Sequence, residues 1–214
     1  METSKLRQEI FHYLRQGGVL LADCDTVPGL FCSARHPAAV ARIRDLKKRD
    51  PHKGFIVMTA QAQALAHTGE AEKRLIDCFW PGPLTIVMPL RDRGLAPLSP
   101  DGRTIALRWP DHPFWSVFLR SYGLAVLTTS ANPFDRVFAD RRKTVRNRSA
   151  AGAGLYDGSA EHCLLRASEP VGWMLFDRHP RPGLSSTIVQ MQAGRPVLLR
   201  AGDVRAEDIQ QCLR

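Results

Sequence analysis

The stretch that most limits what this chain can fold into is residues 19–49, VLLADCDTVPGLFCSARHPAAVARIRDLKKR. It opens on an apolar run, Val19-Leu20-Leu21-Ala22, short enough for a buried strand. A polar turn follows, Asp23-Cys24-Asp25-Thr26, and Pro28-Gly29 breaks the backbone again. Pro37 then opens a helix with apolar Val40, Ile43 and Leu46 and basic Arg42, Arg44, Lys47, Lys48 and Arg49. A strand, a hydroxyl-bearing turn and a helix ending in cations predict an anion pocket at a strand's carboxyl end. On residues alone, a solvated helix end is the simpler account of the cations, since Lys and Arg are favoured at helix C-termini.

The same reading extends along the chain. Leu6, Ile10, Phe11 and Leu14 share one face of a helix over residues 4–16, which Gly17-Gly18 ends. Residues 54–58, 84–90, 104–107, 124–128, 171–176, 187–191 and 197–199 read as strands. Helices are predicted within 61–80, stopped by Pro81-Gly82-Pro83, over 112–122 from Pro113, and over 204–213. Strands and helices mix without strict βαβ alternation, which points to a mixed sheet flanked by helices.

At 214 residues and 44% apolar content, one globular domain over residues 1–214 is the expectation. No apolar run approaches the roughly 20 residues a membrane span needs, and no apolar segment follows Met1-Glu2-Thr3-Ser4-Lys5 to make a signal peptide. Five widely spaced cysteines without a Cys-x-x-Cys pair predict reduced thiols and a cytoplasmic location. Cys24 beside the turn reads as a small buried hydrophobe before a reactive thiol. The seven histidines show no metal-ligand spacing and read as surface or capped residues.

A formal charge of +9 attracts polyanions, or serves solubility alone. It is concentrated in Arg136, Arg141, Arg142, Lys143, Arg146 and Arg148, which face only Asp140. That run reads as a solvated surface or as a contact for tRNA or double-stranded RNA.

Candidate site residues follow from chemistry. Lys47, Arg49 and Lys53 can offset nucleotide phosphates, with Arg adding bidentate contacts. Ser130 and Asn132, past an apolar strand, offer a hydroxyl and an amide that can hold a phosphate or carboxylate; a helix N-cap or Asx turn explains them equally. Trp80 and Trp109, beside proline turns, read as core packing.

Five motifs stand in order: the opening stretch with Asp25-Thr26, Gly29-Leu30 and Lys47-x-Arg49; Phe79-Trp80-Pro81-Gly82-Pro83-Leu84-Thr85; Arg108-Trp109-Pro110; Thr129-Ser130-Ala131-Asn132; and Ser186-Thr187-Ile188-Val189 followed by Arg200-Ala201-Gly202. Over about Gly17 to Gly202 they resemble the YrdC-type threonylcarbamoyl-AMP synthase family. The resemblance implies a single YrdC-like α/β domain: a twisted mixed sheet flanked by helices around a concave basic pocket. It also implies synthesis of L-threonylcarbamoyl-adenylate from L-threonine, bicarbonate and ATP with Mg²⁺, releasing pyrophosphate. The product would pass to tRNA threonylcarbamoyl transferase machinery.

By family position Lys47 and Arg49 grip phosphates, Ser130 and Asn132 join them, and Thr26 meets the amino acid. Arg108, Ser186, Thr187 and Arg200 are further pocket candidates. The chain departs from the family pattern at Pro28, which replaces a tyrosine, at Lys53-Gly54-Phe55, which replaces Lys-Pro-Leu, and at Pro133-Phe134-Asp135. Two alternatives stay open: a divergent paralogue that adenylates another carbamate, and a non-catalytic RNA-binding YrdC-like module.

Overall fold

Successive residues of the central strands pack into different cores, as a side-chain period of two requires. The computed structural model describes residues 3–50, 52–131, 162–166, 172–177 and 184–214. Helix α1 (Thr3–Arg15) leads through Gly17, at φ 87°, into strand β1 (Leu20–Ala22). The chain returns along β2 (Gly29–Ser33) and enters α2 (Pro37–Leu46). Then come β3 (Ile56–Met58), α3 (Ala62–Leu65), α4 (Glu70–Phe79) and β4 (Leu84–Pro89). A 3₁₀ segment, Arg93–Leu98, precedes β5 (Thr104–Arg108), α5 (Pro113–Tyr122) and β6 (Val126–Ser130). Strands β7 (His162–Arg166), β8 (Trp173–Asp177), β9 (Thr187–Gln192) and β10 (Arg195–Arg200) and helix α6 (Ala206–Leu213) complete the described chain.

All ten strands form one sheet, ordered β10-β9-β4-β5-β3-β6-β2-β1-β8-β7. The pairs β1–β8, β3–β5 and β4–β9 are parallel and the rest antiparallel, so the sheet is mixed, as expected. One difference lies at β2. Pro28-Gly29 reads as a break, yet Gly29 begins a strand whose Leu30, Phe31 and Cys32 are wholly buried. Two sheet neighbours, β1 and β6, satisfy the backbone that local sequence left unassigned. Strand β7 likewise carries no clear apolar alternation, and β8 supplies its pairing.

Leu21, Leu30, Cys32, Val57 and Leu127 face a core closed by α2, α3, α4 and α6. Leu20, Phe31, Met58 and Val126 face a second core closed by α1 and α5. There Trp115 stacks on Phe31 with ring centroids 4.6 Å apart. Two histidines cap helices beside a proline at the first turn: His36 accepts from the Ala39 N–H, and His112 from Phe114 and Trp115. Trp80 and Trp109 pack against the two cores, as predicted. Among the described residues, no helix is long and apolar enough to cross a membrane.

The cysteines correct the sequence reading. Cys78 on α4 and Cys212 on α6 form a disulfide, 134 residues apart. Spacing along the chain gave no hint, because only the packing of α6 beside α4 brings the two together. Replacing Cys212 by Ser is expected to lower stability by about 2–4 kcal/mol under oxidising conditions and by much less with dithiothreitol present. Urea midpoints of the two proteins, measured with and without reductant, check this.

Candidate active site

Among the described residues, the second helical layer covers only part of the sheet, and the site lies beside it. The core under α1 and α5 draws sheet residues from β1, β2, β3, β6 and β8, and none from β4, β5, β9 or β10. On that side Val87, Ala106, Ile188 and Gln190 line an open hollow of about 360 Å³. A more polar hollow of about 130 Å³ adjoins it, and Arg49, Ile56 and Arg200 belong to both walls. Ser130 and Arg108 each end their own strand, but β6 and β5 run in opposite directions. The hollow therefore crosses the face of the sheet, where the sequence predicted an anion pocket at a strand's carboxyl end.

Helix α2 lies behind the sheet, and its end delivers two cations. Lys47 caps the helix and donates from Nζ to the Ser130 carbonyl at 2.8 Å, spanning 83 residues of sequence. Arg49 donates from Nε to the Lys53 carbonyl (3.3 Å) and from Nη2 to the Gly54 carbonyl. Its guanidinium lies 4.7 Å from the centre of the buried Phe55 ring. Burial first, and the charge of Arg44 second, lower the pKa of Arg49 from its ordinary value. Gly54 is tight: a Cβ there would stand 2.7 Å from Pro100. The departure Gly54-Phe55 is thus a fitted unit, a glycine under Pro100 and a ring under Arg49.

Arg108 occupies the centre of the polar wall. Its Nε donates to the Gly82 carbonyl (3.1 Å) and its Nη1 to the Thr26 hydroxyl (3.0 Å). Its Nη2 pairs with Asp25 Oδ1 at 2.5 Å, with both side chains about 95% buried (5% and 4% exposed). Cys24, in the same wall, is also buried; burial first and the Asp25 charge second push its thiol pKa well above the ordinary value. It stays a neutral thiol and packs as a small hydrophobe, in line with its sequence reading.

The far wall comes from β9 and β10. A bulge between Leu198 and Arg200 sets Arg200 opposite Ile188, a residue of the hollow. Arg200 then donates to the Ser186 carbonyl (3.0 Å from Nε, 2.7 Å from Nη2) and to its hydroxyl (2.9 Å). Ser186 Oγ also lies 2.8 Å from Thr85 Oγ1. Partial burial first, and the Arg108 charge second, lower the pKa of Arg200. Gly202 makes this corner possible, since a Cβ there would fall 2.0 Å from the Ser185 carbonyl oxygen.

Of the predicted residues, Thr26, Arg49, Arg108, Ser130, Ser186 and Arg200 line one hollow, and Lys47 is bonded to it through Ser130. Two others stand apart. Lys53 is exposed and absent from both walls. Thr187 is fully buried and spends its hydroxyl on Val204, donating to the carbonyl (2.7 Å) and accepting from the N–H (3.0 Å). Thr187→Val is expected to cost about 1–3 kcal/mol of stability, because the Val204 groups lose their partner in a dry place. Ligand affinity should move little, and a urea titration beside a binding isotherm checks both. Asn132 and the run 136–148 lie outside the described residues. Sequence reasoning missed Asp25 as the partner of Arg108, as well as Thr128, Thr129 and Ser185 in the wall. The run of hydroxyls at the end of β6 was the available signal.

Three guanidinium groups and six Ser or Thr residues line the polar hollow, with no Asp or Glu among its described lining residues. That lining has the chemistry to hold an anion, set on the face of a mixed α/β fold. The chain belongs to the Sua5/YciO/YrdC family, whose model, described as "Telomere recombination", matches residues 12–202. It is 31% identical over 203 residues to the threonylcarbamoyl-AMP synthase of Bacillus subtilis (strain 168), covering 92% of this chain and 53% of that one. The threonylcarbamoyl-AMP synthase of Alkalilimnicola ehrlichii is 32% identical over 166 residues, covering 73% of this chain and 87% of the relative. The crystal structure of P. abyssi Sua5 complexed with L-threonine superimposes with a TM-score of 0.71 at 25% identity, over 99% of this chain and 58% of that one. E. coli YciO shares the fold, with a TM-score of 0.69 at 17% identity over 96% of this chain and 93% of its own. The chain thus spans only about half the length of the Bacillus subtilis relative.

Proposed function

We propose that the chain is a nucleotidyltransferase that makes L-threonylcarbamoyl-adenylate from L-threonine, bicarbonate and ATP. The observation that carries this is the junction of the two hollows at Arg49 and Arg200. A nucleotide needs cations for its phosphates beside an apolar recess for its base, and the polar and apolar hollows supply the two in contact. Relatives named threonylcarbamoyl-AMP synthase and a Sua5 structure holding L-threonine support the choice of reaction.

The chemistry fits the charge. The neutral amine of threonine takes up the carbon of bicarbonate with loss of water, giving a carbamate. A carbamate oxygen attacks the α-phosphorus, the bond to the pyrophosphate oxygen breaks, and pyrophosphate leaves. This step calls for positioning and charge stabilisation rather than a strong acid or base. A wall whose described residues carry three guanidinium groups and no carboxylate disfavours an ammonium ion and suits an anionic carbamate.

Lys47 and Arg49 would offset phosphate charge, Thr26 would meet the amino acid, and Ser130 and Asn132 would orient the α-phosphate and the carbamate. Arg108, Ser186 and Arg200 would close around an anion. Mg²⁺ would enter with the nucleotide substrate, on its phosphates. We also read residues 1–214 as one domain, supported by the single ten-stranded sheet, and tRNA-modifying transferase machinery as the consumer of the product.

Mass spectrometry of products from ATP, bicarbonate and a mixture of amino acids is the test. Threonylcarbamoyl-AMP as the main adenylate is the expected result. Adenylates of another amine would favour a divergent paralogue, and no adenylate at all would overturn the proposal.

A further inference from the structure

We infer that Asp25 is a positioning residue that, through Arg108, fixes the Thr26 hydroxyl as a hydrogen-bond donor toward an acceptor oxygen of the amino-acid substrate. The inference rests on the proposed threonine reading and concerns how that ligand is recognised.

Asp25 joins three segments of the chain. Oδ1 meets Arg108 Nη2 at 2.5 Å and accepts from the Cys24 thiol at 3.1 Å; Oδ2 accepts from the Asp111 N–H at 2.9 Å. It thereby ties the turn after β1 to the end of β5 and to the loop before α5. Both carboxylate oxygens face donors, so the ionised form satisfies the site and an amide does not. An asparagine in the same place would turn its NH₂ against either the guanidinium or the Asp111 N–H.

Arg108 carries the effect onward. One edge is held by Asp25 and another by the Gly82 carbonyl, which leaves Nη1 aimed at Thr26 Oγ1. A guanidinium donates and never accepts, so Thr26 accepts from Arg108 and its own proton must turn elsewhere. Thr26 is 4% exposed and belongs to the wall of the polar hollow. A buried hydroxyl held in this way selects a carboxylate or carbamate oxygen, and the nearby guanidinium reinforces that preference over an ammonium group.

The test is calorimetric binding of L-threonine and, separately, of ATP to the full chain. The proteins compared are wild type, Asp25→Asn, Thr26→Val, Thr26→Ser and the double variant Asp25→Asn/Thr26→Val. Loss of a hydrogen bond to a charged ligand group predicts threonine binding weakened about 10- to 100-fold by Asp25→Asn and by Thr26→Val. ATP affinity should stay within about twofold, and Thr26→Ser should restore threonine binding, as expected when only ligand-specific contacts change. Because Asp25 acts through Thr26, the double variant should bind threonine no more weakly than Thr26→Val alone. Should Asp25→Asn fail to fold, Arg108→Lys replaces it. A lysine cannot span Asp25, Thr26 and Gly82 at once and should weaken threonine binding at least as much. Unchanged threonine affinity in Asp25→Asn, losses that add in the double variant, or an equal loss for ATP would each overturn the inference alone. Absence of threonine binding by the wild-type protein would overturn it together with the proposed function.

Discussion

Replacing Arg49 by Ala should reduce ATP-dependent pyrophosphate release by about 10³-fold or more, the scale of removing an arginine from a phosphoryl-transfer site. The protein should still fold. Arg49 touches the rest of the molecule through two main-chain carbonyls and the Phe55 ring. Contacts of that kind at a half-buried position contribute about 0.5–1 kcal/mol from the ring, with a similar amount from each hydrogen bond. What is lost is a cation already set in place, since Phe55 below and Gly54 beside it fix the guanidinium before any ligand arrives. A continuous pyrophosphate assay alongside a melting curve separates the two effects. Activity within tenfold of wild type in a folded Arg49→Ala protein would remove Arg49 from the proposed reaction.

Arg108→Ala should behave in the opposite way, as a stability defect first. The Arg108–Asp25 pair is almost wholly buried, and removing one partner leaves the carboxylate dry and uncompensated. Breaking a buried pair on one side costs about 3–5 kcal/mol, whereas replacing both members by apolar groups is often neutral. Asp25→Leu/Arg108→Met should therefore recover much of the stability that Arg108→Ala loses, without recovering activity. Urea unfolding of the three proteins decides the matter. A loss below about 1 kcal/mol in Arg108→Ala would show that the pair is well hydrated in solution.

The strands were largely legible because buried stretches read as apolar runs, as at Leu84–Pro89 and at Val126-Leu127 in β6. Helix starts were legible where a proline at the first turn follows a capping histidine, at residues 36–37 and 112–113. Strand β2 was hidden by its own Pro28-Gly29 opening, which local rules read as a break. The site was legible as a set of residues but not as a shape. Lys47 meets Ser130 across 83 residues, and Thr85 meets Ser186 across 101. Nothing local predicts either meeting. The same holds for the Cys78–Cys212 bond, for Thr187 turning to Val204, and for the extra residue in β10 that re-aims Arg200. Each depends on sheet order, which spacing along the chain does not encode.

The open face of the sheet has a thermodynamic corollary. Val87, Ala106 and Ile188 present apolar surface that no helix shields among the described residues. A nucleotide seated there would bury that surface, and the protein should become markedly harder to melt once it is loaded. At a hundredfold excess over the dissociation constant, the gain for one site is about 2.7 kcal/mol. In this sense the substrate would finish the fold.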